Sequence, residues 1–185
     1  MLRNCARARL TEGDAPRPSR ILEYIVIEIA LGSGLRVAEI ADLQCGDLVL
    51  GKFSGSLLVR RGKGGKRRTV IISGQLCRIL KKFVRRKAVS NQSTDVQAPL
   101  LASRVAGKPL STRALQKMFS RVLDAAKLGH YRFHDLRHTY GSHLLRASDN
   151  DLVFVRDQLG HADLATTAVY LHALNAEKAV NALYV

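Results

Sequence analysis

Apolar residues recur at helical spacing over the first quarter of the chain. A helix is predicted from Ser19, a residue type that caps helices, because apolar residues then return every three or four positions: Ile21, Leu22, Ile25, Val26 and Ile29. Gly32-Ser33-Gly34 ends this pattern, and a short second helix is predicted from Arg36 to Leu43. Residues 1–19 are rich in arginine and contain prolines without a helical period, so we expect a flexible basic lead-in there.

Three short β-type runs follow, separated by turns that contain glycine. They extend from Leu48 to Leu50, from Ser56 to Arg60 and from Thr69 to Ile72, and they predict a small three-stranded antiparallel sheet. The turn between the second and third runs contains Gly62-Lys63-Gly64-Gly65-Lys66. We expect this turn to form a flexible basic tip.

The rest of the chain returns to helical periodicity. Longer helices are predicted from Ser73 to Lys87, from Ser111 to about Gly129 and from His134 to Arg146; serine can cap the first two. Three short helices should follow, spanning Leu152 to Leu159, Ala165 to His172 and Asn175 to Leu183. The sequence thus predicts a mainly α fold with one small sheet, built as a single domain over residues 20–185.

The charge of the chain indicates a polyanionic partner. Thirty Lys and Arg residues against fifteen Asp and Glu residues give a net charge of +15, and between Asp47 and Asp95 every charged side chain is basic. Double-stranded DNA is the leading candidate for this partner, and an anionic membrane surface is the rival. For the basic stretch between Asp47 and Asp95, a solvated surface or a localisation signal is the alternative. No apolar run approaches the roughly 20 residues that span a bilayer, and no signal-peptide pattern is present. The odd number of cysteines is typical of reduced thiols. We therefore expect a cytoplasmic, nucleoid-associated protein without a membrane partner.

Arginine, histidine and tyrosine residues supply candidate chemistry. His134 and Arg137 are three positions apart and share one helix face, and Arg36 stands just after the Gly-Ser-Gly break. Two guanidinium groups suit the non-bridging oxygens of a phosphodiester and the charge that grows on them in a transition state. Tyr170 offers a phenol that can attack phosphorus if its surroundings are strongly cationic. Lys63, on the basic turn, is a candidate general acid for the leaving oxygen, with Lys66 as the alternative.

The spacing of His161 and Tyr170 sets a geometric condition. Nine positions apart, they would lie on opposite faces of one straight helix. A bend is therefore expected at Gly160, with Asp163 as the cap of the helix that carries Tyr170. One uninterrupted helix from Leu152 to His172 would exclude the proposed site.

Four segments together resemble the catalytic domain of tyrosine recombinases, the phage-integrase family. They are Gly34-Leu35-Arg36-Val37-Ala38-Glu39-Ile40, the turn from Gly62 to Arg67, the run from His134 to Thr139 and the run from Leu159 to Tyr170. The resemblance extends from about Arg20 to His172. It implies the DNA breaking-rejoining fold of that family and a site-specific recombinase or integrase as the function.

The resemblance also implies a role for each candidate residue. Arg36 and Arg137 would clamp the scissile phosphate, while His134 and His161 would assist proton transfer. Lys63 would protonate the leaving 5′-hydroxyl, and Tyr170 would form a 3′-phosphotyrosyl link. Because that link stores the energy of the broken bond, neither a metal, ATP nor any other cofactor is expected.

Family members commonly pass a C-terminal helix to a neighbouring protomer, and this chain has an apolar stripe suited to that exchange at Ala176, Ala179, Val180 and Leu183. A homo-oligomer, a tetramer on DNA, is therefore expected, although docking of this helix on its own domain stays equally open. The usual N-terminal core-binding domain is not expected within this sequence, and its absence puts site selection in doubt.

Two other functions and several plainer residue roles fit the same patterns. The functions are DNA relaxation of the type IB topoisomerase kind and non-catalytic DNA binding. Arg36 could merely pair with Glu39 at the surface, His161 could cap a helix end, and Tyr170 could be a core residue with a tethered hydroxyl. The remaining histidines are interpreted as structural or supporting residues: His130, His138, His143 and His172.

Overall fold

A computed structural model describes residues 1–11, 17–62, 65–103, 107–129 and 131–171 of the chain. In chain order it contains the helices and strands α1 (Leu2–Ala8), α2 (Pro18–Ser33), α3 (Val37–Ala41), a 3-10 turn (Cys45–Asp47), β1 (Leu48–Leu50), β2 (Ser54–Val59), β3 (Arg68–Ser73), α4 (Gly74–Val89), α5 (Thr112–Ala126), α6 (Phe133–Ala147) and α7 (Leu152–Leu159). Residues 164–171 are also helical. The predicted fold class, mainly α with a small three-stranded antiparallel sheet, is confirmed.

Helix α2 is the central element of the core. Val26, Ile27 and Ile29 are fully buried, and the helix packs against α1, α4, α5 and α6. It begins at Pro18 with Arg17 as the N-cap, rather than at the predicted Ser19 cap. Proline is favoured in this position because the first helical residue needs no amide hydrogen for the helix. Helix α2 ends at Ser33, and the following Gly34 caps it with a φ of 61°, which glycine adopts without strain.

The sheet has the strand order β1-β2-β3, and both pairings are antiparallel. Leu57 in the central strand lies opposite Leu48 on one side and Val70 on the other. Leu57 and Val70 are fully buried, so one face of the sheet joins the core against α2 and α4. The other face carries exposed residues such as Ile71, which is the alternation expected of a half-buried sheet.

The serine caps are confirmed at two helices. Ser73 Oγ accepts a hydrogen bond from the amide of Leu76 at the start of α4, and Ser111 Oγ accepts one from the amide of Ala114 at the start of α5. Helix α5 ends earlier than predicted, because Lys127 rather than Gly129 adopts the left-handed conformation that terminates it.

The expectation of a flexible lead-in is wrong for the first residues, because Leu2–Ala8 form helix α1. Ala6 is only 1% exposed, and α1 packs on α2 and α5. Just beyond the helix, Arg9 Nη2 donates to the buried carboxylate of Glu23 at 3.1 Å. A helix of seven residues that buries one small side chain shows no apolar period, which is why the pattern analysis missed it.

Some predicted features lie outside the described residues. These are Lys63 at the basic tip and the C-terminal helix from Asn175 to Leu183. Among the helices that the structure does describe, none combines the length and the apolar character that crossing a bilayer requires.

The docking of α1 is tested by placing a charge at Ala6. We expect Ala6→Asp to lower the free energy of unfolding by about 2 kcal/mol or more, because it buries a carboxylate without a partner. The matched control, Ala8→Asp, places the same charge at an exposed position of the same helix and should cost no more than about 1 kcal/mol. Equal effects in urea denaturation would show that α1 does not dock.

Candidate active site

Arg137, in the second turn of α6, forms hydrogen bonds with two segments that are far apart in the sequence. Its side chain is buried, with the residue 2% exposed. Nη1 donates to the carbonyl of Gly34 at 2.8 Å, and Nη2 donates to the carbonyl of Leu159 at 2.6 Å. Burial, followed by the nearby charge of Arg36, lowers the pKa of Arg137 to about 10, so the guanidinium remains charged at neutral pH.

Arg36 immediately precedes α3 and lies beside Arg137 in one cleft. The cleft has a volume of about 660 Å³, and its lining includes Arg36, His134 and Arg137. Arg36 Nη1 contacts Glu39 Oε1 at 3.0 Å, and Nη2 donates to the carbonyl of Gly160 at 3.4 Å. Its side chain retains 28% exposure, so solvent or a ligand in the cleft can reach it.

Glu39 is shared between two arginines rather than forming a surface pair with Arg36. The residue is 6% exposed. It accepts the backbone amide of Arg36 at 2.8 Å, and Arg68 donates to its two oxygens at 2.7 Å and 2.9 Å. Burial alone would raise the pKa of Glu39, but the hydrogen bonds from Arg68 and from the Arg36 amide outweigh burial and lower it. Glu39 therefore stays ionised and orients both guanidinium groups.

The carboxyl end of α7 is the meeting point of three arginines. Its last carbonyls belong to Gln158, Leu159 and the following Gly160. Arg68 Nε donates to the first at 3.2 Å, Arg137 to the second and Arg36 to the third. The last carbonyls of a helix lack partners within the helix and carry its negative partial charge, so cations are favoured there.

The chain bends between His161 and Tyr170, as the spacing predicted. Helix α7 ends at Leu159, and Gly160 has a φ of 66°. Asp163 Oδ1 accepts the amide of Ala165 at 3.0 Å and caps the segment that carries Tyr170. One uninterrupted helix, which would have excluded the site, is absent from residues 152–171.

Tyr170 lies within a row of aromatic rings. Its ring is nearly parallel to that of His161, with centroids 6.3 Å apart, and its centroid is 5.7 Å from that of His138. His138 in turn contacts His134, with centroids 4.7 Å apart. The Tyr170 ring rests on Gly141 of α6, where an added Cβ would lie 2.7 Å from its Cζ atom. Only a residue without a side chain permits this approach.

Burial, rather than the cationic surroundings, dominates the acidity of Tyr170. The residue is 5% exposed, and this burial raises its pKa, although Arg137 and Arg36 act in the opposite direction. The expectation that nearby cations activate the phenol therefore does not hold for this conformation. Its hydroxyl is protonated at neutral pH.

The two histidines of the site are disfavoured as cations. Burial, followed by the charges of Arg137 and Arg36, lowers the pKa of His161 to about 4, and its Nδ1 lies 2.9 Å from the hydroxyl oxygen of the buried Thr167. Burial also lowers the pKa of His134, with further contributions from His138 and Arg137. His161 is thus neutral at physiological pH and suited to hydrogen bonding.

The structure brings together five of the six candidate residues: Arg36, His134, Arg137, His161 and Tyr170. Lys63, the sixth, lies outside the described residues, and its alternative Lys66 is exposed.

The sequence analysis did not predict that His138 lies between His134 and Tyr170. Its position four residues after His134 was a usable signal, because residues four apart share one face of a helix. Sequence reasoning also missed Arg68, whose contact with Glu39 spans 29 positions of the chain and left no local pattern.

Comparison with known proteins identifies relatives over most of the chain. The model of the phage integrase family matches residues 4–177. Tyrosine recombinase XerC of Pseudomonas entomophila is 36% identical over 151 residues, covering 81% of this chain and 48% of that protein. Tyrosine recombinase XerC of Proteus mirabilis is 35% identical over 169 residues, covering 89% of this chain and 52% of that protein. The chain therefore spans about half the length of these relatives.

Solved structures show the same fold. The XerH site-specific recombinase, in a post-cleavage complex with a palindromic difH substrate, superposes with a TM-score of 0.77 at 24% identity, over 100% of this chain and 52% of that one. The XerA recombinase gives a TM-score of 0.73 at 24% identity, over 92% of this chain and 58% of that one. Since the family model covers residues 4–177, the chain belongs to the phage integrase family and contains a tyrosine recombinase catalytic domain.

Proposed function

We propose that this chain carries out the cleavage and rejoining steps of a site-specific DNA recombinase. The observation that carries the proposal is the convergence of Arg36 and Arg137, with His134 beside them, on one cleft. Two planar cations side by side match the non-bridging oxygens of a phosphodiester and stabilise the charge that develops on them. The named relatives are tyrosine recombinases, which favours recombination over simple DNA relaxation.

The proposed reaction needs neither a metal nor a nucleotide cofactor. The Tyr170 oxygen attacks the scissile phosphorus and forms a 3′-phosphotyrosyl bond as the bond from phosphorus to the 5′-oxygen breaks. The phenolic proton leaves to a base or to solvent, and the departing 5′-oxygen takes a proton from a general acid, for which Lys63 and Lys66 are the candidates. Attack by a 5′-hydroxyl on the phosphotyrosine reverses these steps and rejoins the strand.

His134 and His161 take supporting roles in this proposal. His134 lines the cleft with the two arginines and can hydrogen-bond to a bound phosphate. His161, neutral and held through Thr167, can donate or accept one hydrogen bond without adding charge. Tyr170 is covered by α6 in the structure, so its ring must leave Gly141 before its oxygen reaches a phosphate in the cleft.

The surface charge supports double-stranded DNA as the partner. The outer face of α4 presents exposed Arg78, Lys82, Arg85 and Arg86, which adds to the net charge of +15. Neutralising backbone phosphates with such residues gives binding that weakens steeply with salt. A DNA partner would place the protein with the nucleoid in the cytoplasm.

The covalent intermediate is the most direct test of the function. A randomised library of nicked duplexes, in which the cleaved strand end diffuses away, should yield a protein–DNA adduct that survives denaturation and disappears in Tyr170→Phe. Sequencing the captured strands would also identify the target site. The control Tyr24→Phe removes a phenol from the amino-terminal half of α2 and should leave the adduct yield unchanged. A wild-type protein that forms no adduct on this library or on supercoiled DNA would contradict the proposal.

The pH dependence of cleavage follows from the two pKa shifts. Burial raises the pKa of Tyr170 above its ordinary value of about 10 in the position that the ring occupies before it moves. The neutral phenol therefore predominates at the start of the reaction, and its ionised fraction grows about tenfold per pH unit. The pKa of His161 is lowered to about 4, so this residue does not change its charge near neutral pH and does not bend the pH–rate profile there. The single-turnover rate of adduct formation should therefore rise from about pH 6 to about pH 9 without a plateau. A plateau near pH 7 would instead indicate a phenol acidified by its cationic neighbours.

We further propose that the chain assembles as a tetramer on DNA through its C-terminal segment, residues 175–183. This segment lies outside the described residues, and its apolar stripe is the support for the proposal. Sedimentation velocity on a cleavable duplex should show a multimeric complex for the full chain. A form that ends at Leu174 should sediment with fewer protomers per duplex. Identical complexes would indicate that the segment docks on its own domain.

A further inference from the structure

Arg68 takes no part in the bond-making and bond-breaking steps of the proposed chemistry. It begins β3, and its side chain is 12% exposed. Its guanidinium forms a two-pronged contact with Glu39, at 2.7 Å and 2.9 Å, while its Nε donates to the carbonyl of Gln158. Arg68 is therefore held by both the carboxylate behind Arg36 and the end of α7.

The charges in this cluster do not cancel. Glu39 supplies one negative charge, which lies 3.0 Å from Arg36 and 2.7 Å from Arg68. In the part of the chain that the structure describes, the guanidinium of Arg137 donates to carbonyl oxygens, which carry no net charge. Within the cluster of Arg36, Arg68, Arg137 and Glu39, three guanidinium groups against one carboxylate leave two net positive charges. Without Arg68, the carboxylate would cancel Arg36, and one net positive charge would remain.

A difference of one positive charge changes how strongly the cluster attracts a phosphodiester. The bound phosphodiester carries one negative charge, and charge on its non-bridging oxygens increases toward the transition state. Glu39 is needed because its contacts with the amide and the side chain of Arg36 fix the direction of that side chain. The same carboxylate, without a second cation, would weaken the attraction of Arg36 for the phosphate.

We propose that Arg68 is a positioning residue that neutralises Glu39, so that Glu39 orients Arg36 without cancelling the charge that Arg36 presents to the scissile phosphate. This inference rests on the proposed function, since it assigns the cleft to a phosphodiester. Gly160 supports the placement of Arg68, because an added Cβ there would lie 2.8 Å from both Cδ and Nε of Arg68. The turn at the end of α7 thus leaves room for this guanidinium.

The first arm of the test measures anion binding without cleavage. Inorganic phosphate is titrated at constant ionic strength, and NMR follows the Nε–Hε signals of Arg36 and Arg137. Arg68→Gln removes the charge but keeps a donor for Glu39, and it should weaken phosphate binding on the order of tenfold. Arg68→Lys keeps the charge but loses the two-pronged contact, and its affinity should remain within about threefold of the wild type.

The chain offers a matched control at a second shared carboxylate. Buried Glu23 also pairs with two arginines, Arg9 at 3.1 Å and Arg121 at 2.8 Å. Arg121→Gln therefore removes one of the two arginine partners of a buried glutamate, as Arg68→Gln does for Glu39. The glutamate in the control, Glu23, lies in the amino-terminal half of α2. Arg121→Gln should leave phosphate binding at the wild-type level. Equal weakening by both variants would show a general loss of structure and overturn the inference.

The decisive variant combines Arg68→Gln with Glu39→Gln. This pair removes one positive and one negative charge, so the cluster regains its two net positive charges. Phosphate affinity should return to within about threefold of the wild type, a rescue that a purely structural role for Arg68 does not predict. Failure of this rescue, or unchanged affinity in Arg68→Gln, would overturn the inference.

The second arm measures adduct formation with the captured duplex substrate. Arg68→Gln should slow the single-turnover rate by at least the factor by which phosphate binding weakens, and the double variant should recover part of that rate. If phosphate binding follows the charge at position 68 but the wild type forms no adduct, the proposed cleavage fails and the inference about charge stands. If the wild type forms the adduct while phosphate binding ignores that charge, only the inference fails.

Discussion

The arrangement of the site depends on three guanidinium groups that bind the last carbonyls of α7. Arg68, Arg137 and Arg36 come from β3, from α6 and from the residue before α3, and they contact the carbonyls of residues 158, 159 and 160. These carbonyls lack partners within the helix and would cost free energy if buried without a donor. The same contacts satisfy the helix end and bring distant parts of the chain to one place.

The hydrogen-bond partners of the arginines determine how much positive charge remains beside the cleft. Arg137 is buried, and a buried cation is usually stabilised by a carboxylate. Here its guanidinium donates to two neutral carbonyls, which do not cancel its positive charge. The cost of this arrangement appears in the pKa of Arg137, which burial lowers to about 10. A strongly basic side chain tolerates such a reduction and remains charged, whereas lysine would come closer to losing its proton.

Local features of the sequence were sufficient to predict the helices and the bend, because their determinants lie within a few residues. Ser73 and Ser111 cap their helices through amides three positions away, and Asp163 acts two positions away. The cluster around Glu39 was not predictable in this way. Its contact with Arg68 forms only after the sheet packs beside α7, and no periodicity records it. The raised pKa of Tyr170 is likewise a product of burial, which depends on Gly141 in a different helix.

The short turn after α7 ties the phosphate clamp to the nucleophile. Gly160 supplies a carbonyl for Arg36, and the helical segment 164–171 that carries Tyr170 begins only four positions after it. Tyr170 and the carbonyl of Gly160 are thus joined by a short stretch of backbone. A displacement of residues 164–171 that carries the Tyr170 ring off Gly141 would also shift the carbonyl that binds Arg36. Repositioning the nucleophile therefore also adjusts the group that orients one arginine of the clamp.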